Sequence, residues 1–216
     1  MSDKPPATIL VHGVWMHGVT LELQRYFLEQ QGFDARCYSY STVAPTLTEN
    51  ANELAAYARA QGAETIHWVG HSLGGLVILR MLEIATDLPP GRIVLLGTPS
   101  RGSYAAREMS RHHLGEMAIG RSLAEWFARE HPGDFSHREI GVVAGSNSFG
   151  LGMFVAPDLP EPNDGEVAVD ETRLACACDH IVLPVSHSGM LISHSVAEQT
   201  AAFLHNGCFE HRADAA

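Results

Sequence analysis

Residues 64–77, ETIHWVGHSLGGLV, constrain this chain more than any other stretch. The run Thr65-Ile66-His67-Trp68-Val69 has the composition of a strand, and an apolar helical run starts directly after Gly74. Between them lies Gly70-His71-Ser72-Leu73-Gly74. A G-x-S-x-G between strand and helix is the context of a nucleophile elbow. So tight a turn needs very small residues beside the serine, hence Gly70 and Gly74, and Gly75 lets the helix approach the sheet. Ser72 is expected at the apex in a strained conformation. Its hydroxyl should be raised above helix N-terminal amides that favour negative charge.

The segments around the elbow alternate in type. ATILVH (7–12) reads as a buried strand, and Gly13 opens a loop, Val14-Trp15-Met16-His17-Gly18. A helix is expected over 19–31 with Val19, Leu23, Tyr26 and Phe27 on one face. A second strand over 34–42 follows, then a helix capped by Thr46-x-x-Glu49 with Leu47, Ala51, Leu54, Ala55 and Ala58 inward. After the elbow helix comes the strand RIVLL (92–96). This β-α-β-α-β-α-β order argues a parallel sheet with helices on both faces.

Residues 97–103, GTPSRGS, form a turn-rich loop, and 104–130 reads as helical, with Ser122-x-x-Glu125 opening a short helix. That segment serves as a connection or a small lid. EIGVVA (139–144) is the next strand, and an irregular stretch runs over 145–164, a length that is uncommon in loops without a function. The last strand is expected at 181–185. Ser195-x-x-Glu198 should cap a final helix with Val196, Thr200, Phe203 and Leu204 inward, and the tail from Phe209 should fray.

With 216 residues, 45% hydrophobic and 18% charged, the chain is expected to form one domain, 1–216. Its formal net charge of −11 and lack of a basic run argue against nucleic acid and against anionic membrane surfaces. No stretch approaches a membrane span, so no stable insertion is expected. No signal pattern is present, and Cys37, Cys176, Cys178 and Cys208 form no C-x-x-C pair. A cytoplasmic protein with free thiols, no cofactor and no metal is the expectation.

A serine hydroxyl needs a general base, and the base needs an orienting carboxylate. On this architecture they follow the serine in the order acid, then histidine. Of thirteen histidines, His187 directly follows the last strand, with Gly189 giving its loop freedom. His180 precedes that strand and so falls at the wrong edge; His71 is locked inside the elbow. Asp164, before Gly165 at the end of the long loop, leads as the acid, and Asp170 stands second. The oxyanion donors are expected to be the amides of Leu73 and of Val14, with Trp15 next. His12 should brace that loop. Trp15, Met16, Met190 and Leu191 flank the catalytic loops and are candidates for lining an acyl pocket.

His12-Gly13, Gly70-His71-Ser72-Leu73-Gly74-Gly75, Gly97-Thr98-Pro99-x-x-Gly102-Ser103, Asp164-Gly165-x-Val167 and His187 together resemble a small α/β-hydrolase of the lipase/esterase group. They are also similar to membrane-lipid-remodelling acyl hydrolases of the GPI inositol-deacylase type. The resemblance implies an α/β-hydrolase fold, and departures from the family's pattern make the expected form a minimal one, with a mostly parallel sheet of about six strands and no large lid. It also implies a Ser72–His187–Asp164 triad and hydrolysis of a small-molecule acyl ester through an acyl-enzyme. Ser100 stands where many relatives carry histidine, and the two extra N-terminal strands of the full fold are missing. These departures favour an esterase over an interfacial lipase. A thioesterase, amidase or acyltransferase would use the same triad. A silent, binding-only member of the fold would be expected to have lost parts of it.

Overall fold

The computed structural model describes residues 5–110, 113–129, 133–150 and 156–211. His112, residues 151–155 of the long stretch and the tail from 212 lie outside them. Six parallel strands form one sheet in the order β2-β1-β3-β4-β5-β6. They are β1 (Ala7–Val11), β2 (Asp34–Tyr38), β3 (Ile66–His71), β4 (Ile93–Leu96), β5 (Ile140–Gly145) and β6 (Asp179–Leu183). The four inner strands are buried along their whole length, as strands covered on both faces must be, while β2 and β6 at the edges are partly exposed. This is the minimal α/β-hydrolase fold.

Successive side chains of each strand point to opposite faces and divide the core in two. Ile9, Val11, Trp68, Leu95 and Val142 pack on one side with α2 (Leu47–Ala60) and α3 (Leu73–Ile84). Leu10, Val69, Val94 and Val143 pack on the other with α1 (Glu22–Gln30) and α6 (His194–Asn206). Between β4 and β5 lie α4 (Tyr104–Ser110) and α5 (His113–Phe127), the latter against α2. Thr46 and Glu49 form a reciprocal capping box at the start of α2, and all five predicted inward residues of that helix are buried.

Several expectations are corrected. In α1 the buried residues are Gln24 and Leu28, with Leu21 just before, whereas Val19, Leu23 and Tyr26 are exposed. The reason is polar. Gln24 Nε2 donates to the carbonyls of Met190 (2.7 Å) and Ser193 (2.9 Å), so the neighbour of α1 needs a donor there. The cap of α6 is Ser193, whose hydroxyl accepts from Val196 N–H; Ser195 lies inside the helix. α5 is interrupted at Gly120 (φ 75°), and Ser122 and Glu125 bond Pro45 and Thr48 of the α2 entrance. β6 starts earlier than expected, so His180 lies within it. Phe209 is buried with its N–H on Asp179, and His211 also binds Asp179, so the tail is docked through residue 211.

Because every strand is parallel, the loops after β1, β3, β4, β5 and β6 emerge at one edge of the sheet. That is where open α/β sheets build sites.

Candidate active site

Ser72 joins β3 to α3 with φ 54° and ψ −122°, a strained conformation for a residue with a side chain. The glycines make the turn possible. A Cβ on Gly74 would collide with the backbone carbonyls of Val11 and His12, and one on Gly70 would collide with Gly75. Leu73, the first residue of α3, is fully buried behind the serine. Gly13 lies against it in front: a Cβ there would stand 3.1 Å from Ser72 Cβ and 3.0 Å from His71 Nδ1. The loop after β1 therefore abuts the serine.

His12 braces that loop. Its Nδ1 contacts the Gly13 carbonyl (3.0 Å), its Nε2 accepts the N–H of Tyr40 (3.3 Å), and Tyr40 stacks on its ring. Burial keeps its pKa below the ordinary value. Trp15 sits at φ 58°, and its N–H donates to Thr42 Oγ1 at 3.1 Å. Val14 is half-buried against the core.

Asp164 and His187 meet inside the protein. His187 Nδ1 is 2.7 Å from Asp164 Oδ2, and both side chains are almost wholly buried. The other carboxylate oxygen accepts the N–H groups of Glu166 (3.0 Å) and Val167 (2.7 Å), which fixes the acid's orientation. Gly97, after β4, supports the pair. At φ 56°, a Cβ there would fall 3.0 Å from His187 Nδ1 and 3.1 Å from Asp164 Oδ2. Burial alone would lower the His187 pKa, but the charge and hydrogen bond of Asp164, with the charge of Glu166, raise it to about 9. His71 packs beside it, ring centroids 4.7 Å apart, and donates through Nε2 to the His187 carbonyl at 3.1 Å. Burial, then the charge of His187, pushes His71 down to about 3, so it stays neutral. Among the described residues, no hydrogen bond joins Ser72 Oγ to His187.

A family model described as the alpha/beta hydrolase family matches residues 8–146. The chain belongs to the alpha/beta hydrolase family. Among solved structures, it is similar to the mature form of Bacillus licheniformis lipase BlEst2, with TM-score 0.71 and 19% identity over 95% of this chain and 93% of that one. It is similar to Legionella pneumophila phospholipase PlaB in complex with thio-NAD, with TM-score 0.66 and 17% identity over 91% and 55%. A third is the metagenomic carboxyl esterase MGS0156, with TM-score 0.64 and 17% identity over 87% and 66%. At such identities the likeness is one of fold. A search of curated proteins finds no matching sequence.

The remaining site expectations of this α/β-hydrolase divide clearly. Asp170 is 86% exposed and paired with Arg173, away from His187. Met190, expected at a substrate pocket, is fully buried and packs in the core with Leu191. Trp15, 54% exposed, and the half-buried Met16 line a cavity of about 520 Å³ with His17 and residues 39–43. Ser72 is not among its walls. Ser100 is buried, its hydroxyl directed at the carbonyls of Thr172 and Arg173, and it ties the loop after β4 to the acid's loop.

Three residues at the site had no assignment from sequence: Gly97, His71 as a support for the His187 backbone, and Glu166. Gly97 was visible in sequence only as the first residue of the Gly97-Thr98-Pro99-x-x-Gly102-Ser103 motif at a strand end. Among the described residues, no group of three or more His, Cys, Asp and Glu side chains could hold a metal ion, and no helix is long and apolar enough to cross a membrane.

Proposed function

We propose that this chain is a serine hydrolase that cleaves carboxylic acyl esters, with Ser72 as nucleophile, His187 as general base and Asp164 as the acid that orients it. The observation that carries the proposal is the buried 2.7 Å contact between His187 Nδ1 and Asp164 Oδ2 beside a serine held at φ 54°. Nothing in a solvated loop requires a carboxylate and an imidazole to be buried together, and that burial is unfavourable unless they are paired.

In this mechanism His187 Nε2 takes the Ser72 proton as Oγ adds to the ester carbonyl. The oxyanion is held by the amide of Leu73, which has no intrahelical partner at the start of α3, and by that of Val14. Trp15 is the weaker candidate donor because its N–H is already directed at Thr42. Collapse of the intermediate gives the proton to the leaving alkoxide. Water, deprotonated by His187, then releases the acid and restores Ser72. Trp15 and Met16 are proposed to contact the substrate from the neighbouring cavity.

Treatment with a fluorophosphonate probe should label Ser72 in the wild-type protein and fail in Ser72→Ala and His187→Ala. Turnover of short p-nitrophenyl esters should vanish in Ser72→Ala. Retained turnover in that variant overturns the proposal. A panel of increasing acyl length then reports what the cavity accepts, with a steep fall beyond short chains marking an esterase.

A further inference from the structure

His187 has a carboxylate on each side of its ring. Asp164 engages Nδ1, and Glu166 Oε2 lies 3.8 Å from Nε2, the nitrogen that must take the serine proton. Glu166 is not a loose surface side chain. Its backbone N–H donates to Asp164 Oδ1, so the turn that presents the first carboxylate also presents the second. Its side chain is 29% exposed, against 3% for His187, which places it at the rim of the buried pair. Resting on the serine-hydrolase reading, we propose that Glu166 is a positioning residue whose carboxylate favours the Nε2 proton of the His187 imidazolium and thereby moves the acid limb of turnover to higher pH.

The surroundings single out these two acids. From the elbow, His71 faces the ring but is neutral, and Ser72 carries no charge. The loop after β4 contributes Gly97. The flanks of His187 are Ser186 and Ser188. Beyond Asp164, Glu171 acts on the acid rather than on the base, and its carboxylate receives the N–H groups of Ala168 and Tyr104. Burial opposes charge on His187, so the imidazolium persists through its carboxylates, and the His187 pKa is raised accordingly. Only the neutral ring accepts the proton of Ser72. Protonation of the ring therefore competes with its work as a base, and the Glu166 carboxylate favours the protonated form. No bond to Glu166 is made or broken; it acts through the proton on its neighbour.

The test is a pH titration of wild-type protein, Glu166→Gln and Glu166→Asp, read two ways. Histidine ring NMR follows His187 directly, without substrate. The acid limb of kcat/KM on a short p-nitrophenyl ester follows it during turnover. Glu166→Gln should lower both midpoints by about one pH unit and raise kcat/KM at pH 7 several-fold, as expected for loss of one nearby charge. Glu166→Asp should lie between the two. Unchanged His187 midpoints in folded Glu166→Gln overturn the inference. Loss of activity with unchanged midpoints also does so, since it makes Glu166 structural. Because NMR needs no substrate, turnover surviving in Ser72→Ala would overturn the serine reading separately.

Discussion

The N–H of His187 donates to the carbonyl of Asp164 at 2.8 Å, and its ring Nδ1 stands 2.7 Å from the carboxylate of the same residue. The two loops that end β5 and β6 are thus joined at the backbone and at the side chain. In Asp164→Asn the amide oxygen can still accept from Glu166 and Val167 N–H, which turns the amide nitrogen toward His187. The ring must then accept at Nδ1 and carry its proton on Nε2, where it cannot take one from serine. The expected outcome is a fall in kcat of roughly 10³–10⁴-fold with the fold retained by circular dichroism. Asp170→Asn should leave kcat unchanged.

Gly97→Ala should fail at the same pair for a steric reason. The new methyl would sit 3.0 Å from His187 Nδ1 in a conformation with φ 56°. The backbone would be strained by ~1 kcal/mol or more and the ring displaced. A drop in kcat of at least tenfold is expected, accompanied by a lowered Tm, with probe labelling of Ser72 slowed. An unaltered labelling rate would mean that Gly97 does not support the base.

Gln24→Leu preserves bulk but removes the donor to Met190 and Ser193. Two carbonyls in the segment that follows His187 lose a partner. A destabilisation of about 1–3 kcal/mol is expected from denaturant melts, although the change makes α1 more apolar.

The stability of the protein should peak near neutrality, for reasons of opposite sign. His187 has a folded pKa of about 9 against 6.5 unfolded, so its contribution is complete below 6.5 and is lost as pH rises through 9. His67 and His71 are lowered mainly by burial, to about 4 and about 3. Between those values and 6.5 the unfolded chain binds more protons, so stability falls as pH falls. Thermal melts from pH 4 to 10 should show both limbs. His67→Gln, distant from the candidate site, should flatten only the acid limb.

The parts legible in sequence were those governed by local chemistry. The elbow needs small residues at fixed spacing, and the Thr46 capping box closes within four residues, so both could be read without neighbours. Ser72, Asp164 and His187 were placed from chain order, and the structure brings the latter two into contact. What escaped depended on partners distant in sequence. The inward face of α1 is set by two carbonyls more than 160 residues away, and an apolar count favours the wrong side. Ser193 and Ser195 both stand near the start of α6, and only the path of the chain makes Ser193 the cap and puts Ser195 inside the helix. Phe209 looked like the start of a fraying tail because its pocket beside Phe203 and its hydrogen bond to Asp179 are tertiary.

The double tie between Asp164 and His187 has a consequence for how such a scaffold could diversify. Asp164 and His187 are fastened into one block, whereas the cavity at Trp15 is walled by residues 15–17 and 39–43 on the β1–β2 side of the sheet. On the proposed function, proton transfer and substrate selection would therefore be carried on separate stretches of chain. Exchanging the 39–43 segment should retune which substrates enter while leaving proton transfer intact, so this protein is suited to specificity engineering one loop at a time.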